Sequence, residues 1–249
     1  MADFPPSFCL IVPMYNEAPN AARCVQVLTQ TLDALPYRSA LIVVDDGSTD
    51  GTGTILKHLQ DNYAHLTVVT HECNTGYGSA IRTGIKRAQL DGFTYALFMD
   101  SDLTNDPKYI ADFVRKMEEG VDVIKASRYV PGGGMHGVPL HRVLISVVGN
   151  KIASRLMSLP LSDCTNGFRA VKVDILSQMP LSEPGFAVIM EELYHMKYLA
   201  KTFCEIPYIL TSREQNRGAS KFVYRPKVFW EYLRYVLKAS LRIRPHYNG

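Results

Sequence analysis

The sequence predicts an α/β fold, a mostly parallel central sheet with helices on both faces. Two observations point there. Short continuous apolar runs alternate with amphipathic stretches through the first half, as in strands buried on both faces by crossover helices. Three polar clusters follow the ends of those runs: Pro13-Met14-Tyr15-Asn16-Glu17, Asp45-Asp46-Gly47-Ser48 and Asp100-Ser101-Asp102. In such a sheet the ligand lies in the crevice beyond the C-terminal strand ends.

Phe8 to Val12 reads as a buried strand closed by Pro13, followed by a helix over about 19–35. Ala40 to Val44 is a second strand, ended by DDGSTDGT, with a helix over about 54–62. A strand at 66–70, a helix over about 78–91 and a strand at 95–99 complete the first half. Asp106-Pro107 opens another helix, and a strand at 121–126 ends in Ser127-Arg128-Tyr129. Pro131-Gly132-Gly133-Gly134 reads as a mobile loop. Then come a helix at 140–157, the DCTNGFRAV stretch, a turn at 180–185, a helix at 188–200, a strand at 204–210 and a last helix opened by Pro226. No internal repeat is present.

The 249 residues and 47% hydrophobic content suffice for a packed core and exclude a disordered chain. The net charge of +3 is unevenly placed, with nine Lys and Arg against two Glu from Arg213 onward. A basic end of that kind suits phosphates or a membrane surface. Five scattered cysteines without a CxxC pair suit reduced thiols rather than a disulfide framework or zinc site. MADFPPSFCLIVPMYNE lacks a basic region ahead of a long apolar run, so no signal peptide is expected. No run of about 18 apolar residues predicts a membrane-spanning helix.

Asp100 and Asp102 admit two readings on the residues alone. Carboxylates one residue apart repel each other unless something positive lies between them. They suit a divalent cation completed by substrate phosphates, which would offset charge on a leaving diphosphate. They also suit an acidic turn or a helix cap. Asp46 is placed to accept from a nucleobase or ribose, while Ser48, Thr49 or Asp50 caps the next helix. Asn74-Thr75-Gly76-Tyr77-Gly78 offers helix-start N–H groups, read as a phosphate seat or a structural turn.

Arg128, Arg142, Arg169, Arg213 or Arg217, and Lys221 fall near element ends in the second half. Guanidinium forks bind phosphates well, although any one of them also reads as a solvated charge. The seven histidines show no ligand spacing, and no Ser-His-Asp arrangement stands out. The last helix puts Lys227, Glu231, Arg234, Lys238 and Arg242 on one face. Val228, Phe229, Tyr232, Leu233, Val236, Leu237 and Leu241 share the other, with Trp230 and Tyr235 at the flanks. A membrane interface and a helix packed on the domain with its basic side in water both fit.

Taken in order, VPMYNE, VVDDGSTDGT, NTGYGSAIRTGI, FMDSDLTNDP, ASRY, DCTNGFRAV and RGASKF resemble the family 2 glycosyltransferases of GT-A (Rossmann-like) fold. The similarity is greatest to the dolichol-phosphate mannose synthase-like, polyprenyl-phosphate glycosyltransferase branch, and runs from about Phe8 to Lys221. It implies a catalytic domain at 1–225 followed by an amphipathic, basic C-terminal helix and tail at 226–249. It also implies inverting transfer of a sugar from a GDP- or UDP-sugar to a polyprenyl phosphate.

On the matching positions Pro13, Tyr15, Glu17 and Asp46 would hold the nucleoside. Asp100, Ser101 and Asp102 would hold the sugar diphosphate and Mg2+ or Mn2+, with Asp102 the metal ligand and Lys221 a further donor contact. Arg128, Arg142 and Ser146 would receive the acceptor phosphate, with Arg169 completing the contacts. Asp100, Asp102 and Arg128 are the implied catalytic residues. Thr104 stands where relatives often carry a metal-binding Gln, leaving the second ligand open between Asn105 and Asp106. Gln215 stands where relatives often have Arg, with Arg213 or Arg217 as substitutes.

A phosphate acceptor is already an anionic nucleophile at neutral pH, so no general base is required. The expected partners are the nucleotide-sugar donor, the polyprenyl phosphate, and a membrane surface or membrane-anchoring partner, with no nucleic acid. The expected location is cytoplasmic, peripheral on the cytoplasmic face of a membrane. Two alternatives keep the fold. One transfers to a soluble or protein-linked hydroxyl, with Glu191 or Glu192 as base; the other is a non-catalytic nucleotide-sugar-binding partner. A nucleotidyltransferase would want a basic loop after the first strand, which VPMYNE is not.

Overall fold

A computed structural model describes residues 6–211 and 226–247, with side chains of the second segment from Phe229 onward. The expectations at Arg213, Gln215, Arg217 and Lys221 lie outside the described residues. The elements run β1 (Phe8–Met14), α1 (Ala18–Asp33), β2 (Ser39–Asp45), α2 (Thr52–Gln60), β3 (Leu66–Thr70), α3 (Tyr77–Leu90), β4 (Tyr95–Phe98), α4 (Ile110–Glu118) and β5 (Val123–Ser127). They continue with β6 (Gly134–Met135), α5 (Leu140–Met157), β7 (Arg169–Lys172), α6 (Val173–Ser177), α7 (Val188–Leu199), β8 (Phe203–Pro207), β9 (Ile209–Leu210) and α8 (Pro226–Ser240).

Seven strands form one sheet in the order β3-β2-β1-β4-β7-β5-β8. All neighbours are parallel except β7, which runs against both β4 and β5. Side chains alternate between two cores, as strand geometry requires. Cys9, Ile11, Ile42, Val44, Ala96 and Phe98 pack under α3, α5, α6, α7 and α8. Phe8, Leu10, Val12, Leu41, Val43 and Leu97 pack under α1, α2 and α4. The helices therefore cover both faces, as the sequence pattern predicts.

β1 runs two residues past its expected end and includes Pro13. Ile11 accepts from Met99 N–H across β4 at 3.1 Å, and Met14 accepts from Asp46 N–H beside β2 at 2.8 Å. By that alternation Pro13 faces the β4 side, where pairing has already ended at Phe98, so its missing N–H breaks no bond. The expected single strand at 204–210 is two strands. β8 pairs with β5 as far as Ser127 and Pro207, and β9 then pairs with β6. The Gly-rich loop, expected to be mobile, is tied into this small second sheet by Gly134 N–H on Tyr208 O (3.0 Å) and His136 N–H on Leu210 O (2.8 Å).

α8 lies against α5 and α7. It buries Tyr235, Val236 and Ala239 and pairs Arg234 with Glu183, while Phe229 (71% exposed), Trp230, Leu237 and Leu241 face outward. Tyr235 thus belongs to the core rather than a flank, and part of the apolar side is uncovered. The adjacent α5 exposes Leu140 (82%), Leu144, Ile145, Val148 and Ile152. Among the described residues no helix is long and apolar enough to cross a membrane.

Candidate active site

The loops after β1, β2 and β3 are stitched together at one end of the sheet. Asn16, in the left-handed region at φ 49°, donates its N–H to Ser48 Oγ (2.9 Å) and accepts from Thr49 N–H (2.8 Å). Glu17 N–H bonds Thr52 Oγ1 at 2.9 Å, and Asp50 accepts from Ala18 N–H and Thr52 N–H, both at 3.0 Å. The buried Glu17 carboxylate accepts from Asn20 Nδ2 at 2.8 Å. Pro13 and Tyr15 are half-buried beside this seam.

Asp46, expected on the nucleoside, already receives four protein donors. They are Thr75 N–H (2.9 Å), Thr75 Oγ1 (2.8 Å), Gly76 N–H (2.8 Å) and His71 Nδ1 (2.7 Å). Burial pushes the carboxyl up, but these bonds outweigh it and hold its pKa below the ordinary value. In this state Asp46 shapes the wall of the crevice by fixing the 71–76 loop. At the helix start Gly78 N–H is likewise engaged, donating to Pro184 O at 2.7 Å.

A Cβ on Gly76 would stand 2.4 Å from Pro184 O, and one on Gly78 would stand 2.1 Å from Glu183 O. The glycines of this segment serve close approach to the 183–185 turn, as the structural-turn reading has it. Gly78→Ala is expected to cost about 1–3 kcal/mol through overpacking, measured by denaturant unfolding.

The acid turn follows β4. Ser101 and Asp102 are buried, Asp102 being 6% exposed. Asp102 Oδ1 accepts from Thr104 N–H (3.0 Å) and Thr104 Oγ1 (2.7 Å), and Leu103 between them adopts φ 57°. Asn105 Nδ2 donates to Asp100 Oδ2 at 3.3 Å. Asp106 caps the next turn through Lys108 N–H (2.9 Å) and pairs with Lys108 Nζ (2.8 Å). Thr104, where a Gln ligand was looked for, instead orients Asp102. Asn105 and Asp106 thus both make contacts within the turn.

Among the described residues no three His, Cys, Asp or Glu side chains gather as a metal cage. Two hard oxygen donors without a closed cage fit an ion such as Mg2+ or Mn2+ that takes its other ligands from substrate phosphates and water.

Arg128 follows β5 and is held by a fork. Its Nε and Nη2 donate to Asp163 Oδ2 (2.7 Å) and Oδ1 (2.8 Å), and Nη2 reaches Thr165 Oγ1 (3.0 Å). The guanidinium lies 5.2 Å from the Tyr129 ring centre, and Tyr129 Oη bonds Ser146 Oγ at 2.6 Å. Asn150 ties α5 to the same loop, donating to Ser146 O (2.9 Å) and accepting from Cys164 N–H (2.8 Å) and Thr165 N–H (3.0 Å). Arg142 is exposed on α5, four residues before Ser146. The structure therefore brings Arg128 and Ser146 into one cluster, with Arg142 on the same helix.

Arg169 is placed differently from its expected role. It is 1% exposed, with Nε and Nη2 each 2.5 Å from Glu192, Nη1 on Gly167 O at 2.7 Å, and its guanidinium 4.1 Å from the Phe98 ring centre. The antiparallel β7 sets it between β4 and β5 on the inner face, where a guanidinium must be paired. It braces the sheet beneath the site rather than reaching an acceptor. Lys125, its buried neighbour, donates to Asn166 O at 2.7 Å, and burial with the Arg169 charge pulls its pKa down to about 8.

The two proposed bases are engaged as well. Glu192 holds Arg169, and Glu191 accepts from Ser182 N–H (3.0 Å), Ser182 Oγ (2.7 Å) and Glu183 N–H (2.9 Å).

Sequence reasoning missed Asp163, Tyr129, Thr165 and Asn150. Asp163 and Thr165 stand in DCTNGFRAV and Tyr129 in ASRY, so the motifs marked the places without assigning the contacts.

Residues 9–179 match the family model for glycosyl transferase family 2. The chain is 31% identical over 233 residues to a dolichol-phosphate mannosyltransferase of Pyrococcus furiosus, covering 92% of this chain and 62% of that protein. It thus spans less than two thirds of that relative's length. It is 28% identical over 216 residues to a polyprenol monophosphomannose synthase of Mycolicibacterium smegmatis, covering 85% and 79%. Among solved structures, glucosyl-3-phosphoglycerate synthase from Mycobacterium tuberculosis, in complex with Mn2+, UDP and glucosyl-3-phosphoglycerate, superposes with a TM-score of 0.64 at 19% identity over 96% of this chain and 81% of that one. S. aureus TarS in complex with UDP-GlcNAc gives 0.61 at 22% identity over 96% and 68%. At these identities the likeness is one of fold.

Proposed function

The chain belongs to glycosyl transferase family 2 and has its GT-A fold, and on that premise we propose that it moves a sugar from a GDP- or UDP-sugar to a polyprenyl phosphate. The observation that carries this reading is the Arg128 guanidinium, fixed on Asp163 through Nε and Nη2 with Nη1 outside that pair to meet a phosphate, and with Ser146 Oγ held nearby by Tyr129. A rigid guanidinium beside hydroxyls suits a phosphate acceptor. The engagement of Glu191 and Glu192 by protein donors also favours phosphate over a hydroxyl that needs a base.

In this mechanism Arg128, with Arg142 and Ser146, orients the acceptor phosphate, one oxygen of which attacks the anomeric carbon from the face opposite the leaving diphosphate. The configuration inverts in that single displacement. Pro13, Tyr15 and Glu17 line the nucleoside side, and Asp100, Ser101 and Asp102 hold the sugar diphosphate. Mg2+ or Mn2+ held by Asp102 would supply positive charge to the departing diphosphate. Thr104 keeps the Asp102 carboxylate aimed, and Lys221 is assigned to the donor phosphates. Mannose is the first sugar to assay, because the relatives carry mannosyl names.

Two acceptors that differ by one group test the reading. Polyprenyl phosphate is expected to be glycosylated and the matching polyprenol is not; labelling of the polyprenol alone would establish the hydroxyl-acceptor alternative. Arg128→Lys, which keeps the charge and loses the fork, is expected to lower kcat/KM for the lipid phosphate about 100-fold.

The acceptor's lipid implies a membrane, and α5 supports docking on its surface. The helix exposes Leu140, Leu144, Ile145, Val148 and Ile152 and carries His141, Arg142, Lys151 and Arg155 with no Asp or Glu. Free cysteines suit the cytoplasmic face. Leu144→Glu with Ile145→Glu is expected to abolish co-sedimentation with anionic vesicles while transfer to a short, water-soluble polyprenyl phosphate persists.

A further inference from the structure

Tyr208 belongs to none of the motifs read from the sequence, yet it touches both halves of the site. It stands between β8 and β9, buried, with its ring edge-on to Phe168 (5.7 Å between centres) and Tyr109 (5.4 Å). Its N–H donates to Ser127 O, one residue before Arg128, at 2.9 Å, and its carbonyl receives Gly134 N–H of the glycine loop at 3.0 Å. Its hydroxyl crosses to the acid turn, its one proton shared between Thr104 O at 2.9 Å and Asn105 Oδ1 at 3.0 Å.

Each acceptor leads to one carboxylate. Thr104 holds Asp102 Oδ1 through its N–H and Oγ1, and Asn105 Nδ2 holds Asp100 Oδ2. Fixing the Asn105 carbonyl oxygen also fixes which way its amide presents Nδ2.

We propose that Tyr208 is a positioning residue for the acid turn, its single hydroxyl setting the aim of Asp100 and Asp102 toward a divalent cation and the donor diphosphate. The inference rests on the metal reading of the acid turn given above. Groups of this kind, one step removed from the ligands, commonly account for a 10- to 100-fold effect on metal affinity. A phenol bonded from β8 thereby links the donor side of the crevice to the strand end that carries Arg128.

Tyr208→Phe keeps the ring contacts with Phe168 and Tyr109 and removes only the hydroxyl. Mn2+ binding to the wild type and the variant is measured by electron paramagnetic resonance in the presence of GDP or UDP, alongside nucleoside diphosphate binding without metal. Tyr208→Phe is expected to bind Mn2+ about 10-fold more weakly, with metal-free nucleotide binding and cooperative melting retained. Asn105→Ala, which cuts the branch to Asp100 alone, is expected to weaken Mn2+ binding less.

Mn2+ affinity in Tyr208→Phe equal to the wild type overturns the proposal. Loss of metal-free nucleotide binding to the same degree overturns it too, because that is what a purely structural residue would produce. A wild type that binds no Mn2+ with either nucleotide overturns the metal reading of Asp102 itself, and the proposal with it.

Discussion

Asp102→Ala is expected to lower sugar transfer by about a thousandfold, close to 4 kcal/mol of transition-state stabilisation. In the proposed reaction the leaving group is a nucleoside diphosphate whose charge grows as the bond to sugar breaks. The acid turn offers only Asp100 and Asp102 for an ion that neutralises it, and Thr104 fixes one Asp102 oxygen from two directions. Donor binding measured without metal should change little. A thousandfold loss in kcat/KM with near-normal metal-free nucleotide affinity is the expected signature. A variant that keeps most of its turnover would remove Asp102 from the chemistry.

Glu192→Gln is expected to destabilise the fold by about 3–5 kcal/mol, because it leaves the Arg169 guanidinium buried without its counter-charge. The pair is fully enclosed, with Glu192 at 0% exposure, and it lies where β7 joins β4 to β5. Arg169→Met combined with Glu192→Leu should regain most of that stability, since well-packed apolar groups often match a buried ion pair. Denaturant midpoints for the wild type and the two variants check this directly. Equal destabilisation of the single and the double variant would contradict the assignment of the pair as a structural brace.

Most of the sheet was legible because its strands are short runs rich in β-branched residues and bounded by turn residues. Phe8 to Val12, Ala40 to Val44 and Leu66 to Thr70 are too short for buried helices. β7 was not, since Arg169-Ala170-Val171-Lys172 is four residues long with a charge at each end, and only the two flanking strands reveal that Arg169 points inward. That burial turned an expected phosphate ligand into a brace. The strand at 204–210 broke after Pro207, and Tyr208, still bonded through its N–H to Ser127 of β5, reaches the acid turn with its hydroxyl.

Among the candidate site residues, positions were easier to read than bonds. Asp100, Asp102 and Arg128 lie at strand ends, as their place in the sequence implies. The partner of Arg128 lies 35 residues away at Asp163, and no local pattern joins the two. Asp46 shows the opposite limit, since its strand-end position was right while its carboxylate is filled by Thr75, Gly76 and His71. In α8 the helical period placed Val236 on a covered side, but Phe229, Leu237 and Leu241 of the same expected face are exposed, Tyr235 of a flank is buried, and Leu241 and Arg242 lie past the helix end at Ser240. Which side is covered depends on α5 and α7, which the period does not encode.

Metal-dependent sugar transfer to a lipid phosphate is tested by incubating the protein with GDP-, UDP- and dTDP-sugars and a short polyprenyl phosphate, with Mg2+ or Mn2+ and with EDTA. One donor yielding a glycolipid that is labile to mild acid, stable to alkali and absent with EDTA is the predicted result. Donor binding or hydrolysis without any lipid product, at every metal and donor, would contradict it.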